Sequence, residues 1–411
     1  MRCGLIGASL GHSFSKEIHE KLGRYTYEMF EVPKDGLDAF LTARDFDGIN
    51  VTIPYKQAVI PYLAGMSARA EAIGAVNTVV NRGGRLYGDN TDFGGLAALI
   101  GRMGLDLKGK TVLIAGTGGT SLTARAAAEA LGAGAVHRLS RSGREGAMTY
   151  EEAYAADRGA AVLIHTTPAG MYPDVEGICV DLDRLPGLRG VVDVVYNPLT
   201  TRLVREARAR GIPAENGLYM LVAQAVLAAE AFTGEALGPE VTEQIYRELR
   251  FEKRSIVLTG MPGSGKSTLG ALLAERTGRA LIDTDAEIVR RAGMPITEIF
   301  KQQGEPAFRD MESAVIKELS ASGGKLIATG GGAVLRRENV DALKQNGTVV
   351  FLDRPLAELL PTDDRPLADD AGKIKALYET RYPIYTAAAD VTVPVTGTPE
   401  ETADAILEKL K

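Results

Sequence analysis

Short apolar runs recur along the chain as "CGLIG", "DGINVTI", "TVLIAG", "AVLIHTT", "GVVDVVY", "SIVLTG" and "GTVVFLD". Their length and β-branched content fit strands covered on both faces. Between them lie patterns such as "LTARAAAEAL" and "TRLVREARARG", whose apolar positions return at helical spacing. Strands alternating with helices predict an α/β protein built mostly on parallel sheets.

The rhythm divides the 411 residues into three blocks, at 1–98, 99–217 and 254–411. This agrees with a prior of about 100–200 residues per domain. Two helical segments, "GLYMLVAQAVLAAEAFTG" and "PEVTEQIYRELR", fill 218–250. The charged "FEKR" at 251–254 then runs into the strand "SIVLTG" without a Pro/Gly/Ser-rich linker, which predicts a short tether.

Composition narrows the chemistry. A formal charge of −6 without a long Lys/Arg cluster argues against nucleic acid and anionic membrane as partners and points to small molecules. The opening "MRCGLIGASL" is too short and glycine-broken for a secretory signal, and the apolar "LYMLVAQAVLAAEAF" is interrupted by Gln224 and Glu230, so no membrane segment is expected. The two cysteines, Cys3 and Cys179, lie far apart and suggest neither a disulfide framework nor a zinc site; a reducing, cytoplasmic setting follows. His12, His19, His137 and His165 show no i, i+4 pairing with acidic neighbours, which argues against metal-ligand histidines. Homo-oligomer formation is left open.

From Thr259 the chain reads "TGMPGSGKSTLG". Gly260, Gly265, Lys266 and Ser267 satisfy G-x-x-x-x-G-K-[ST], with Gly263, Ser264 and Thr268 in the same turn. Backbone N–H groups in such a loop can cradle phosphates, Lys266 can reach the β/γ oxygens of a bound nucleotide such as ATP, and Ser267 can hold Mg²⁺. A buried strand before and a helix after are what the mechanism requires. Downstream, "LIDTDAEIV" presents Asp283 and Asp285, which could equally cap a helix. "EPAFRDMES" sets Arg309 and Glu312 at i, i+3, a site pair or a surface pair. The glycines of "ATGGGAV" (Gly330, Gly331, Gly332) allow close ligand approach or make a turn.

In this order, together with "DRPL" at 364–367 and "TRYPIY" at 380–385, these segments resemble shikimate kinase over essentially all of 254–411. The resemblance implies that Asp283 acts on Mg²⁺ through its water shell and that Asp285 accepts the shikimate hydroxyls. Arg309, Arg381 and the three glycines would hold the substrate carboxylate and ring, and Arg365 would lie over the transferring phosphoryl group. One departure is visible: between "VVFLD" and "RPL" the family carries an arginine-bearing helix that packs on adenine. Here Pro361 interrupts the segment, and Asp363, Asp364, Asp369 and Asp370 surround Arg365.

In the first 250 residues, "TVLIAGTGGTSLTARAAAEALGAGAVHRLSRS" has the layout of a dinucleotide-binding βαβ unit, with Gly116, Gly118 and Gly119 in its turn. An acid after the second strand would favour NAD; Ser140, Arg141, Ser142 and Arg144 favour the 2′-phosphate of NADP, or form a solvated basic loop. Ahead of it, Ser13 and Ser15 could simply start a helix, Asp92 could cap one, and Lys56 could be a surface lysine.

The segments "GASLGHSFSKEIHEKL", "NVTIPYK", "GAVNTVV", "GDNTDFGG", "YNPLTT" and "GLYMLVAQA" together closely resemble shikimate dehydrogenase over about 1–250, with 218–250 completing a substrate-binding domain begun by 1–98. The likeness implies a catalytic pair Lys56 and Asp92, with Ser13, Ser15, Thr52, Asn77, Tyr196 and Gln224 around the substrate. Thr117 and Thr120 stand where the family usually has alanines. The combined expectation is a bifunctional enzyme that reduces 3-dehydroshikimate with NADPH and phosphorylates the resulting shikimate with ATP. Two alternatives are a dehydrogenase with a regulatory nucleotide-binding domain, and a quinate dehydrogenase in the first part.

Overall fold

The computed structural model describes residues 1–11, 13–156, 159–359 and 371–410, apart from the side chains of Glu145 and Ala371. The expected Arg365, with Pro361 and its four flanking aspartates, lies outside the described residues. The chain divides into two compact units, 1–197 with 201–249, and 250–411 with 198–200. Among the described residues each unit is α/β, and no helix is long and apolar enough to cross a membrane.

The first unit holds two sheets. Strands β1 (Arg2–Gly7), β2 (Thr26–Glu31), β3 (Gly48–Val51), β4 (Gly65–Met66), β5 (Thr78–Arg82) and β6 (Arg85–Asp89) are ordered β2-β1-β3-β5-β6-β4. β1 pairs parallel with β2 and β3, but β5 runs antiparallel to both β3 and β6. This departs from the expected parallel rule for a local reason. Arg82 pairs with Arg85, so the loop between β5 and β6 is Gly83-Gly84, with φ of 60° and 81°. A two-residue loop with both φ positive turns the chain back on itself at little cost only with residues like glycine.

The second sheet comprises β7 (Thr111–Ala115), β8 (Ala135–Ser140), β9 (Met148–Thr149), β10 (Ala160–His165), β11 (Gly190–Asp193) and β12 (Ala214–Glu215), ordered β12-β11-β10-β7-β8-β9 and parallel throughout. Alternation along β7 explains its two coats. Val112 and Ile114 pack with Leu96, Leu99 and Ile100 of the helix Thr91–Arg102, while Leu113 and Ala115 pack with Leu203, Val204 and Ala207 of the helix Arg202–Ala209. Each fully buried Val, Leu or Ile contributes about 1.5–3 kcal/mol. The helix Thr91–Arg102 runs through the expected boundary at 98/99, so the two blocks share an element.

The order turns from β7 toward β8 on one side and β10 on the other, which opens a crevice at the carboxyl ends of β7 and β10. In the second unit, β13 (Ser255–Thr259), β14 (Leu281–Asp283), β15 (Leu326–Ala328), β16 (Gly347–Asp353) and β17 (Val391–Pro394) form a parallel sheet ordered β14-β15-β13-β16-β17. β13 is central, so the glycine loop that follows it emerges from the middle of the sheet.

Candidate active sites

In the first unit, a cavity of about 360 Å³ is lined by Ser13, Ser15, Thr52, Lys56, Asn77, Asp92, Tyr196 and Gln224. These are all eight residues expected at the substrate site of the dehydrogenase part, and they come from six separate stretches of sequence. Lys56 Nζ donates to Asp92 Oδ2 at 2.5 Å, and both side chains are largely shielded from solvent, at 15% and 11% exposure. Asp92 is not the helix cap it could have been. Asn90 Oδ1 accepts from Phe93 N at 3.2 Å and caps the helix, while Asp92 sits in the first turn, where the helix dipole favours its charge.

The floor of the cavity is a hydrogen-bond network. Asn77 Oδ1 accepts from Thr91 N at 2.7 Å, and Asn77 Nδ2 donates to Thr91 Oγ1 at 3.1 Å. Gln224 is held by donation from Nε2 to Leu221 O at 2.8 Å. Ser13 Oγ lies 3.0 Å from Ser15 Oγ and also accepts from Ser15 N. Burial raises the Tyr196 hydroxyl pKa, against a hydrogen bond to Ser13 that lowers it, so the phenol stays protonated and able to donate. Asn50, Thr120 and Met171 also line the cavity and were missed by motif reasoning. The substituted alanine position at Thr120 was the available signal.

A second cavity opens at the carboxyl ends of β7 and β8, lined by Gly116, Thr117, Ser140, Arg141, Ser142, Arg144, Tyr150, Thr167 and Cys179, among others. Gly118 and Gly119 lie instead at the start of the helix Gly119–Ala130, which has no side-chain cap. A Cβ on either glycine would meet no atom within 4 Å, so neither is small for the sake of packing. Bare glycines at an uncapped helix start suit the close approach of a phosphate. Arg141 and Arg144 are exposed, and Arg144 Nε donates to Ser142 Oγ at 3.1 Å, which orients its guanidinium beside the cavity. The residues present therefore fit a 2′-phosphorylated dinucleotide.

In the second unit, Lys266 is buried and its Nζ donates to Gly260 O and Met261 O, each at 2.9 Å. Gly265 precedes the helix Lys266–Thr277 with φ of 93°, a conformation that places a left-handed residue at the loop exit. Ser267 and Thr268 are exposed at the helix start, available to a metal and to phosphate, and Gly263 and Ser264 complete the loop. Asp283 ends β14 and caps the helix Thr284–Ala292, its Oδ1 accepting from Asp285 N at 2.9 Å and Ala286 N at 3.1 Å. Both capping bonds fall on Oδ1, so Asp283 does serve as the helix cap that the sequence left open.

The Arg309–Glu312 pair is no surface ornament. Arg309 Nη1 donates to Glu312 Oε2 at 2.8 Å, with Glu312 fully buried, and Nη2 donates to Glu305 Oε1 at 2.9 Å. Burial opposes the Arg309 charge, but the two glutamates more than offset it and raise its pKa; burial also raises that of Glu312. Gly330 and Gly332 shape this site sterically: a Cβ at Gly330 would overlap Asp285 Oδ1, and one at Gly332 would overlap the Arg309 guanidinium. Gly331 O accepts from Arg381 Nη1 at 3.1 Å and from Tyr385 OH at 2.5 Å. Asp285, Arg309, Glu312 and the glycine turn are thus gathered, with Arg381 tied to the same turn. Among the described residues no group of three or more His, Cys, Asp or Glu is arranged to hold a metal.

A family model for the shikimate dehydrogenase substrate binding domain matches residues 5–79, and one for shikimate kinase matches residues 262–411. The chain is 36% identical over 266 residues to a Clostridium perfringens shikimate dehydrogenase (NADP(+)), covering 60% of this chain and 97% of that protein. It is 40% identical over 255 residues to the Geobacillus kaustophilus counterpart, covering 56% and 92%. A Thermus thermophilus shikimate 5-dehydrogenase solved with NADP(H) and shikimate aligns with a TM-score of 0.54 at 32% identity, over 60% of this chain and 99% of that one. A chorismate mutase/shikimate 5-dehydrogenase fusion from Clostridium acetobutylicum gives 0.56 at 33% identity, over 60% and 96%. Geometry and likeness agree that the chain belongs to the shikimate dehydrogenase family, with a shikimate kinase domain following in the same polypeptide.

Proposed function

We propose that the two sites act in sequence: the first reduces 3-dehydroshikimate to shikimate, and the second transfers the γ-phosphoryl group of ATP to shikimate. The observation that carries this is the pairing of an enclosed Lys56–Asp92 couple with a phosphate loop that ends in Lys266 and Ser267. Residues 1–98 with 218–250 hold the ketone, 99–217 the nicotinamide dinucleotide, and 254–411 perform the phosphorylation.

In the reduction, bound NADPH supplies the hydride. Lys56 donates the proton to the carbonyl oxygen, and Asp92 holds that ammonium in place. Ser13, Ser15, Thr52, Asn77, Tyr196 and Gln224 meet the hydroxyls and carboxylate of the substrate, and Arg141 and Arg144, with Ser140 and Ser142, bind the 2′-phosphate.

In the phosphorylation, Asp285 takes the hydroxyl hydrogen bond, and Arg309 and Arg381 meet the carboxylate. Lys266 and the loop amides would hold the phosphates of ATP, and Ser267 with Asp283 would hold Mg²⁺, which would offset charge on the transferring phosphoryl group. A purely regulatory role for this domain gains no support from a site in which the phosphate lysine and the substrate-binding groups are both present. Small-molecule partners and a reducing cytoplasm fit both reactions.

Supplying 3-dehydroshikimate, NADPH, Mg²⁺ and ATP to the purified chain should yield shikimate 3-phosphate, with one NADPH and one ATP consumed per product. Shikimate accumulating with ATP intact would refute the second step. Absence of NADPH oxidation while added shikimate is phosphorylated would refute the first.

A further inference from the structure

On the wall of the cofactor cavity lies a cluster that neither reaction uses. His165, at the end of β10, is buried, and its Nδ1 lies 2.8 Å from Asp193 Oδ1. Asp193 is itself fully buried and accepts from Thr201 Oγ1 at 2.6 Å and Val195 N at 3.0 Å, so its carboxylate is fixed. The other imidazole nitrogen, Nε2, lies 2.5 Å from Thr167 Oγ1, and Thr167 Oγ1 lies 3.7 Å from Cys179 Sγ. Asp193, His165, Thr167 and Cys179 form a continuous chain from a buried acid to a thiol. Thr167 and Cys179 both line the cavity.

We propose that Cys179 is a reactive thiolate, open to soft electrophiles and hydroperoxides, whose modification closes the cofactor cavity and stops ketone reduction. Closure of the reaction in this way rests on that cavity being the NADP site; the reactivity itself does not. The cluster orders the protons in one direction. When His165 is protonated, Nδ1–H donates to Asp193 and Nε2–H donates to Thr167 Oγ1, whose hydroxyl hydrogen is then available to sulfur. A cysteine beside an imidazolium becomes a thiolate near neutral pH.

The groups facing Cys179 point mostly the same way. His165 is opposed by burial, yet its bonds to Asp193 and Cys179 hold its pKa up to about 10. Burial works against a Cys179 thiolate, but His165, Thr167 and Tyr150 outweigh it and lower the thiol pKa. Arg141 and Arg144 line the same cavity; Asp174 also lines it, and Tyr154 and Asp181 stand nearby with opposite or no charge. Cys3 is a built-in contrast, since burial pushes its thiol up to about 12.

Two reactions follow. With iodoacetamide, sulfur forms an S–C bond as the C–I bond breaks and iodide leaves. With a hydroperoxide, sulfur attacks one oxygen and the O–O bond breaks. Sulfur is oxidised to the sulfenic acid, and the departing oxide takes a proton from water to give an alcohol or water.

The test is iodoacetamide labelling of the full-length protein, read by peptide mass spectrometry between pH 5 and 9. At pH 7 Cys179 should label at least about 10-fold faster than Cys3, with a rate midpoint below the ordinary thiol value of about 8.5. His165→Gln should raise that midpoint. Because this variant leaves buried Asp193 with one partner fewer, the wild-type profile alone serves if the variant fails to fold. Ketone reduction should fall in step with labelling while phosphorylation of added shikimate continues, and NADP⁺ should slow labelling. In Cys179→Ser, whatever ketone reduction it retains should become insensitive to the reagent.

A rate midpoint at or above 8.5, or full activity in protein labelled at Cys179, would overturn the proposal. Failure of the NADP reading would show separately, as no NADPH turnover by unlabelled protein.

Discussion

Lys56 Nζ and Asp92 Oδ2 stand 2.5 Å apart on the wall of one cavity, although they are 36 positions apart in the chain. The pair depends on a third residue: because Asn90 caps the helix Thr91–Arg102, Asp92 is spared that task and faces Lys56. Lys56→Met should therefore cost about 10²–10⁴-fold in ketone reduction, the usual range for a lost proton donor. Asp92→Asn should act through the same step. Phosphorylation of added shikimate should be unchanged in both, and loss of the two activities together in a folded protein would contradict separate sites.

In the second unit, Gly332 and Arg309 are equally interdependent, because a methyl group at Gly332 would occupy guanidinium space. Gly332→Ala should displace Arg309 at an overpacking cost of about 1–3 kcal/mol. The expected readout is a higher KM for shikimate with a smaller change in kcat, while ketone reduction stays normal. Glu312→Gln should weaken the same arginine by removing its buried charge partner, and an unchanged KM in both variants would place the substrate carboxylate elsewhere.

Cofactor choice should follow Arg141 and Arg144. Each charge-assisted hydrogen bond to a 2′-phosphate is worth about 1.5–3 kcal/mol, or about 10- to 150-fold. Arg141→Ala and Arg144→Ala should each lower kcat/KM for NADPH by that order and leave NADH nearly unaffected. Equal losses with both cofactors would show that the arginines contact something other than the extra phosphate.

Much of this architecture was legible because its signals are local. The strands from "CGLIG" to "GTVVFLD" are continuous apolar runs, and burial on both faces of a parallel sheet demands that composition. The phosphate loop is legible for the same reason, since its geometry and its chemistry occupy the same eight residues. The antiparallel β5–β6 hairpin was signalled by Gly83-Gly84 and escaped notice beside longer motifs. What local patterns hide is distance. Whether Arg309 and Glu312 were a surface pair or a buried one depends on the kink at Gly304 and on the glycine turn that packs over them. His165, Asp193 and Cys179 share no motif at all, and only the adjacency of β10 and β11 brings the first two together.

His19 supplies a final expectation, for stability. It is fully buried, stacked on Tyr27 with ring centroids 3.9 Å apart, and its Nδ1 lies 2.7 Å from Tyr25 OH. Burial lowers its pKa from 6.5 to about 3, only partly countered by Asn50. The folded protein therefore keeps His19 neutral over a range in which the unfolded chain binds a proton. Since the unfolded state then holds more protons, stability rises with pH: the contribution is complete above about 6.5 and drains away as pH falls toward 3. One full proton of difference corresponds to about 1.4 kcal/mol per pH unit. Carboxylates contribute to acid sensitivity as well, so the informative quantity is the difference between wild type and His19→Phe. Urea midpoints measured from pH 4 to 8 should fall more steeply below pH 6 in wild type than in the variant, and the two curves should run parallel above pH 7. Parallel curves over the whole range would mean that His19 takes up its proton in the folded state, through an opening that the packing around Tyr27 does not reveal.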